Sequence, residues 1–329
     1  MLRIGGLNLK SNLILAPMAG VSDLPFRLLN RKFGAELAFV EMINARSISH
    51  KSKRTQDMLS SHLKDKPLGV QILGCEEKFI LKALDVLKKY KFDLFDFNAA
   101  CPAKKVVRRG EGSALLKDPK KLHKLLKLVV KNSQIPVTVK IRSGWDKDSL
   151  NAKEVALYAQ DAGVSALFIH GRTKAQEYGG SVDYAAIRKV KQALNIPVIA
   201  SGDVFSAQLA QKMLSETNCD GLVIARGSFG NPWIFQEIKE FLKTGKVILK
   251  PAKPKVVKIM REHLDASIVF YGERNGVVLF RKFFAWYTKG FRNTRPLREK
   301  SSRAKTRLDM EEIINRISEE VIFRSSLSA

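Results

Sequence analysis

Residues 166–225 read ALFIHGRTKAQEYGGSVDYAAIRKVKQALNIPVIASGDVFSAQLAQKMLSETNCDGLVIA. Three short apolar runs stand in this stretch, Ala166–His170, Pro197–Ala200 and Gly221–Ala225. Between the first two, Ile187, Val190 and Leu194 recur at helical spacing, and between the last two Leu209, Ala210 and Met213 do the same. The runs ALFIH, PVIA and GLVIA are apolar almost throughout, which suits strands covered on both faces rather than a sheet with one wet side.

Upstream, the pattern repeats. Further runs occur at Leu13–Pro17, Leu37–Val40, Leu68–Ile72, Leu94–Asn98 and Pro136–Ile141. Helical periodicity lies between them at Ile80, Ala83, Leu84 and Leu87 and at Leu122, Leu125, Leu126 and Val129. Local punctuation agrees: Glu76 and Glu77 open a helix that Lys88 and Lys89 close, and Gly34 and Gly163 sit where helices end. Eight strand–helix repeats over roughly 240 residues predict an α/β fold, a (β/α)₈ TIM barrel, in preference to a doubly wound sheet, which seldom uses so many regular units. After Pro232 the pattern changes. Lys250–Lys255 reads as a Pro/Lys linker, and Val256, Ile259, Met260 and His263 follow at helical spacing. The expected domains are therefore 1–244, the barrel, and 245–329, a smaller C-terminal all-helical domain.

The chain carries 58 Lys and Arg against 32 Asp and Glu, a formal charge of +26. Such an excess points to a polyanionic partner, either nucleic acid or an anionic membrane surface, although lysine-rich proteomes produce it too. Between Arg281 and Arg307, ten basic residues meet one acid, Glu299, and Phe283, Phe284, Trp286, Tyr287 and Phe291 are interleaved. That composition fits an RNA-facing segment, with Arg281, Arg292 and Arg295 as candidate contacts; the aromatics fit a packed helix face better. Cys75, Cys101 and Cys219 form no CxxC pair, so the reading is of a reduced, cytoplasmic protein with no metal site. Nowhere do about 18 consecutive apolar residues appear, so neither a membrane span nor a signal-peptide core is expected.

In such barrels, functional groups gather at the C-terminal ends of the strands. Polar or unusual residues recur there: Pro17, Met18 and Ala19, then Gln71, Asn98, Lys140 with Arg142, His170 with Arg172, Ser201-Gly202-Asp203, and Arg226-Gly227. Lys140 interrupts an apolar strand and should face an anionic ligand or a barrel carboxylate such as Asp96. His170 taken alone fits a satisfied core histidine. The loops SGDV and ARGSFG follow the last two strands, where a phosphate is often held. Cys101 follows a strand directly, with Pro102, Lys104 and Lys105 beside it to turn the chain and supply a positive field; a thiol there suits a proton donor, whereas Cys75 and Cys219 read as packed apolar residues.

APMAGVSDLPFR, VQILG, DFNAACPAKKVVRRGEGSALL, VTVKIRSGW, HGRTKAQEYGG, PVIASGDV, ARGSFGNPWIF and RKFFAWY, in this order, resemble the signature blocks of the dihydrouridine synthases, nearest the bacterial B-type branch. The resemblance implies an FMN-bound barrel with a helical RNA-binding domain, reduced by NADPH and acting on uridines of tRNA. Pro17, Met18, Ala19, Gln71, Lys140, His170, Ser201, Gly202, Asp203, Ala225 and Arg226 would hold FMN. Cys101 would protonate carbon 5 of uracil as hydride reaches carbon 6. Asn98, Lys140 and Arg172 would meet the polar edge of the base. Lys104 and Lys105 would attract phosphate. No membrane and no obligate protein partner are implied. Four positions depart from the family pattern: Ala100 stands for a usual glycine, Ser201 for asparagine, Ala225 for glycine and Phe283 for histidine. Three further readings remain: the same chemistry on ribosomal RNA, a non-catalytic RNA-binding protein on a flavin-barrel fold, and a small-molecule flavoenzyme of the dihydroorotate dehydrogenase kind, which the basic helical domain disfavours.

Overall fold

The computed structural model describes residues 1–48 and 53–325. The chain forms two compact units, Met1–Gly227 and Ser228–Ala329. The first is an eight-stranded parallel barrel. Its strands are β1 (Leu13–Leu15), β2 (Leu37–Phe39), β3 (Leu68–Leu73), β4 (Leu94–Asn98), β5 (Val137–Arg142), β6 (Ala166–His170), β7 (Val198–Ser201) and β8 (Gly221–Ile224). Each pairs in parallel with its neighbour, and the ring closes where Leu222 of β8 stands opposite Leu13 of β1. All eight apolar runs seen in the sequence are strands of this ring.

Both faces of each strand are covered, but their chemistry differs. The outer set, including Phe95, Phe97, Val139, Ile141, Leu167, Ile169, Leu222 and Ile224, is buried and apolar. With a period of two, the inner set grows more polar toward the top: Leu94, Asp96, Asn98 on β4; Thr138, Lys140, Arg142 on β5; Ala166, Phe168, His170 on β6. At the base, Phe39 meets Phe168 edge to face, with centroids 5.8 Å apart. Gly69 on β3 makes this possible, because a Cβ there would come within 2.3 Å of the Phe39 ring.

An N-terminal hairpin of Leu2–Ile4 and Leu7–Leu9 lies below the ring. Its Leu2, Ile4 and Leu9 join the cluster formed by the first residues of β2, β4 and β6, Leu37, Leu94 and Ala166, and so close the barrel's lower end. This hairpin was not visible in the sequence, since two three-residue strands carry no periodicity to speak of.

The barrel helices start on side-chain caps. Asp23, Asp118, Asp183 and Ser206 accept from the third residue beyond them at the heads of helices Leu24–Lys32, Pro119–Asn132, Tyr184–Ala193 and Ala207–Thr217. The first helix is fastened by ions as well. Asp65, fully buried, pairs with Arg27 at 2.8 Å and Arg31 at 2.7 Å, and the two guanidiniums also donate to the carbonyls of Ser22, Ser60, Glu36 and Pro67.

The second unit contains helices Ile234–Thr244, Lys253–Tyr271, Glu273–Tyr287, Arg295–Ser301 and Arg307–Ser325. The division at Gly227 thus places Ile234–Thr244 with the helical unit, earlier in the chain than a boundary at 244. Phe280, Phe283, Phe284 and Tyr287 are buried in this unit, and Trp286 stacks on Phe229 with centroids 3.9 Å apart. No helix among the described residues is long and apolar enough to cross a membrane.

Removing the carboxylate that holds two buried guanidiniums leaves them uncompensated. Asp65→Ala is expected to lower unfolding stability by about 3–5 kcal/mol, measured by denaturant titration; a loss within 1 kcal/mol, roughly the value of an exposed pair, would contradict the buried-pair assignment.

Candidate functional site

At the upper end of the barrel lies an open-mouthed cleft of about 820 Å³. Pro17 and Met18 follow β1, Gln71 belongs to β3, Asn98 and the Cys101 loop to β4, and Lys140 and Arg142 to β5. His170, the Ser201-Gly202-Asp203 turn and the Ala225-Arg226 pair supply the rest of the wall. Twelve residues singled out in the sequence as catalytic, cofactor or substrate contacts therefore converge on one cavity: Pro17, Met18, Gln71, Asn98, Cys101, Lys140, His170, Ser201, Gly202, Asp203, Ala225 and Arg226.

The Cys101 loop is held from three sides. Asn98 Oδ1 accepts from the backbone N–H of Ala100 at 2.9 Å and of Cys101 at 2.8 Å. The backbone N–H and hydroxyl of Ser113 donate to the Cys101 carbonyl at 3.1 and 2.9 Å. Arg142 Nε donates to the Ala100 carbonyl at 2.7 Å. Ala100 does not require a positive φ, so the methyl group in place of the familiar glycine is accommodated. Gly112 has no such latitude: at φ +61°, its Cβ would lie 2.8 Å from the Cys101 carbonyl oxygen.

Cys101 is 9 % exposed and lines the cleft. Burial pushes its thiol up, against the opposing influence of the Ala103 N–H and Arg142. A thiol raised in this way keeps its proton at neutral pH, which suits an acid and disfavours a nucleophile. The tuning thus runs opposite to the acidifying positive field anticipated from Lys104 and Lys105, which lie exposed on the short helix Lys104–Val107 and outside the cleft wall.

Lys140 Nζ donates to Ser201 Oγ at 3.0 Å, and that hydroxyl donates to the Ile169 carbonyl at 3.1 Å. Serine in place of asparagine thus still furnishes a side-chain shelf for the lysine. Burial lowers Lys140 to about 8, while Asp96 acts in the opposite sense. His170 is driven down to about 2, first by burial and then by Lys140, Arg142, Arg172 and Arg226. It is a neutral imidazole, and the cleft around it is strongly cationic.

Asp203, at φ +50°, ion-pairs with both Arg172 and Arg226, and these arginines hold its carboxyl below the usual range although burial pulls the other way. Arg172 is 2 % exposed and donates to the carbonyls of Gly179 and Gly180, so the structure places it behind the wall, bracing the loop after β6. Gly202, at φ +127°, brings backbone close to the cavity where a Cβ would strike Val182 at 2.7 Å and His170 at 3.1 Å. Ala19 is exposed beside the cleft and outside its lining.

In the second unit, Arg281 donates to the Ala304 carbonyl, Arg295 pairs with Glu299 at 3.2 Å, and Arg292 is exposed. Phe283 is 1 % exposed and packs 4.3 Å from the His263 ring. Sequence reasoning missed Met42, Tyr178 and Phe205 in the cleft wall, and left Arg142 without a role. Arg142 had a usable signal, since it lies two residues beyond Lys140 on the same strand face. Tyr178 and Phe205 had none, because loop residues follow no period; Arg226 lies 5.1 and 5.4 Å from their ring centroids.

The cleft thus offers a cationic wall for an electron-rich or anionic ligand, backbone close to the cavity at Gly202, and one protonated thiol. Gly112→Ala should force the Cys101 carbonyl to move and lower the melting temperature by several degrees, on the order of 1–3 kcal/mol of strain; an unchanged melting curve would contradict the clash. The unfolded chain binds a proton at His170 below about pH 6.5 whereas the folded protein does not until about pH 2. Stability contributed by this group is therefore complete above pH 6.5 and is lost on acidification. Replacing His170 with Gln should flatten the fall in stability between about pH 6 and 4, followed by denaturation at fixed pH steps; an identical slope would show the imidazole to titrate normally.

Residues 14–322 match the family model for dihydrouridine synthase (Dus). The chain is 39% identical over 289 residues to tRNA-dihydrouridine synthase B of Pasteurella multocida, covering 88% of this chain and 87% of that protein. It is 40% identical over 301 residues to tRNA-dihydrouridine synthase B of Pseudomonas aeruginosa, covering 92% and 91%. With the protein of the same name from Pseudomonas syringae the identity is 43% over 286 residues, covering 87% and 85%.

Proposed function

This chain belongs to the dihydrouridine synthase family, and from that premise we propose that it reduces the 5,6 double bond of uridines in tRNA to give dihydrouridine. The observation that carries the proposal is the position of Cys101: a thiol that burial keeps protonated, on the wall of the same cleft as Lys140, Arg142 and the neutral His170.

The cleft suits FMN on its own chemistry. Lys140, Arg142 and Arg226 favour an anionic ligand, and Gly202 lets backbone approach phosphate oxygens without a side chain in the way. Pro17, Met18, Gln71, Lys140, His170, Ser201, Gly202, Ala225 and Arg226 would hold the group, with Asp203 setting the two arginines. Ala19 would contribute from the rim. FMN bound there and reduced by NADPH would supply the hydride equivalent that reaches carbon 6 of uracil.

The chain's own residues supply the remainder. Cys101 gives up its S–H proton to carbon 5, so one hydride and one proton add across the double bond and the thiolate is reprotonated by solvent. Asn98 and Lys140 present N–H groups to the base edge. Arg142 ties the Cys101 loop to the carbonyls of Thr173 and Glu177, so the thiol and the loop after β6 keep fixed places. A stacked uridine cannot reach this cleft, and the nucleotide must leave its stack to enter. The +26 charge provides sequence-independent attraction for RNA phosphates. Arg292 and Arg295 are the exposed members of the three arginines assigned to this task in the helical unit, Arg295 beside Glu299; Lys104 and Lys105 would serve it beside the cleft. The setting is cytoplasmic, where tRNA is found.

Cys101→Ala should retain yellow flavin absorbance and lose dihydrouridine formation by about 100-fold or more, scored by nucleoside mass spectrometry of tRNA from a strain lacking the gene. Product at the parental level would refute Cys101 as the proton donor, and a protein unable to acquire FMN would refute the flavin site.

A further inference from the structure

Asp96 lies at the middle of the barrel's inner face, 1 % exposed, between Gln71 on β3 and Thr138 on β5. An ionised carboxylate only accepts hydrogen bonds, whereas a side-chain amide has one accepting and one donating end. Asp96 Oδ1 takes the Thr138 hydroxyl at 2.6 Å, and Oδ2 takes Gln71 Nε2 at 2.6 Å. With its nitrogen committed, Gln71 turns its oxygen to Asn98 Nδ2 at 2.7 Å. Asn98 in turn aims its oxygen at the backbone N–H groups of Ala100 and Cys101. Reversing either amide would set N–H against N–H at one end of the chain and oxygen against oxygen at the other.

We propose that Asp96 is a positioning residue whose acceptor-only carboxylate fixes the direction of the Gln71 and Asn98 amides and thereby the seat of Cys101 on the cleft wall. It acts through these two amides. It also determines what the cleft displays, because Asn98 offers the cavity its amide nitrogen side, the remaining N–H facing Met42 Sδ at 3.9 Å. The consequence for turnover rests on Cys101 as proton donor; the positioning itself rests only on the hydrogen bonds.

The charged group facing Asp96 is Lys140 on β5, with Gln71 of β3 and Thr138 of β5 as its neutral donors. Burial raises Asp96 to about 6 against all three. Once protonated below about pH 6, the carboxyl can give its hydrogen to the Thr138 hydroxyl while Oδ2 still accepts from Gln71 Nε2, so the direction of the amides survives protonation.

Asp96→Leu removes the acceptor, and Asp96→Asn keeps an oxygen for Gln71 while turning its nitrogen to the Thr138 hydroxyl, which can accept. Three measurements on the full-length FMN-loaded protein decide the matter over about pH 5 to 9: iodoacetamide alkylation of Cys101 read on its peptide, flavin absorbance, and dihydrouridine formation in a tRNA transcript. In Asp96→Leu, the alkylation rate should shift several-fold and turnover fall roughly 100-fold with the KM for tRNA unchanged. Asp96→Asn should recover most of that loss, because its oxygen still accepts from Gln71 Nε2. Parental alkylation and turnover in Asp96→Leu would overturn the proposal, as would an Asp96→Asn variant no better than Asp96→Leu; if the leucine variant does not fold, a roughly 100-fold loss of turnover in flavin-loaded Asp96→Asn overturns it alone. Should Cys101→Ala still make product while Asp96→Leu moves the alkylation rate, the proton-donor reading falls and the positioning role stands.

Discussion

Inside a closed parallel barrel, backbone hydrogen bonds are consumed by neighbouring strands, so a polar side chain buried in the middle layer must be answered by another. This constraint shapes the upper half of the first unit. Thr138, Asp96, Gln71 and Asn98 answer one another in series, and Lys140 is answered by Ser201. Because the inner positions of β4, β5 and β6 grow more polar toward the top, the barrel is a packed core below and a reactive cleft above. The same stack of side chains serves as foundation and as site.

Much of this was legible in the chain. The strands were found because their outward residues are apolar and their inward ones nearly so, leaving runs such as ALFIH that water-facing strands would not produce. The cleft residues were found because their places at strand ends are set by topology. What stayed hidden has physical reasons. Arg172 shares its strand end with His170, yet two neighbouring loop carbonyls and Asp203 draw its guanidinium inward, and nothing local in HGRTKAQEYGG announces that turn. Tyr178 and Phe205 reach the cleft from loops, where spacing carries no directional information. The hairpin at Leu2–Leu9 closes the base with strands too short to leave a pattern.

The basic stripe shows how composition overstates function. Of the aromatics between residues 281 and 291, Phe283, Phe284 and Tyr287 belong to the packing of the helical unit. Arg281 and Arg298 spend donors on the carbonyls of Ala304 and Thr288. A residue that anchors its own fold has less freedom to grip a phosphate, so the attractive field is better regarded as a property of the whole +26 chain than of one segment.

Gly69 and Phe39 illustrate a constraint on sequence drift. The Phe39 ring fills the volume that a Cβ at residue 69 would need. A side chain cannot enter at residue 69 until the ring at residue 39 shrinks, whereas the ring can shrink first at the cost of a cavity. Among relatives, the two sites should therefore exchange bulk as a couple, with the phenylalanine position leading and the glycine position following.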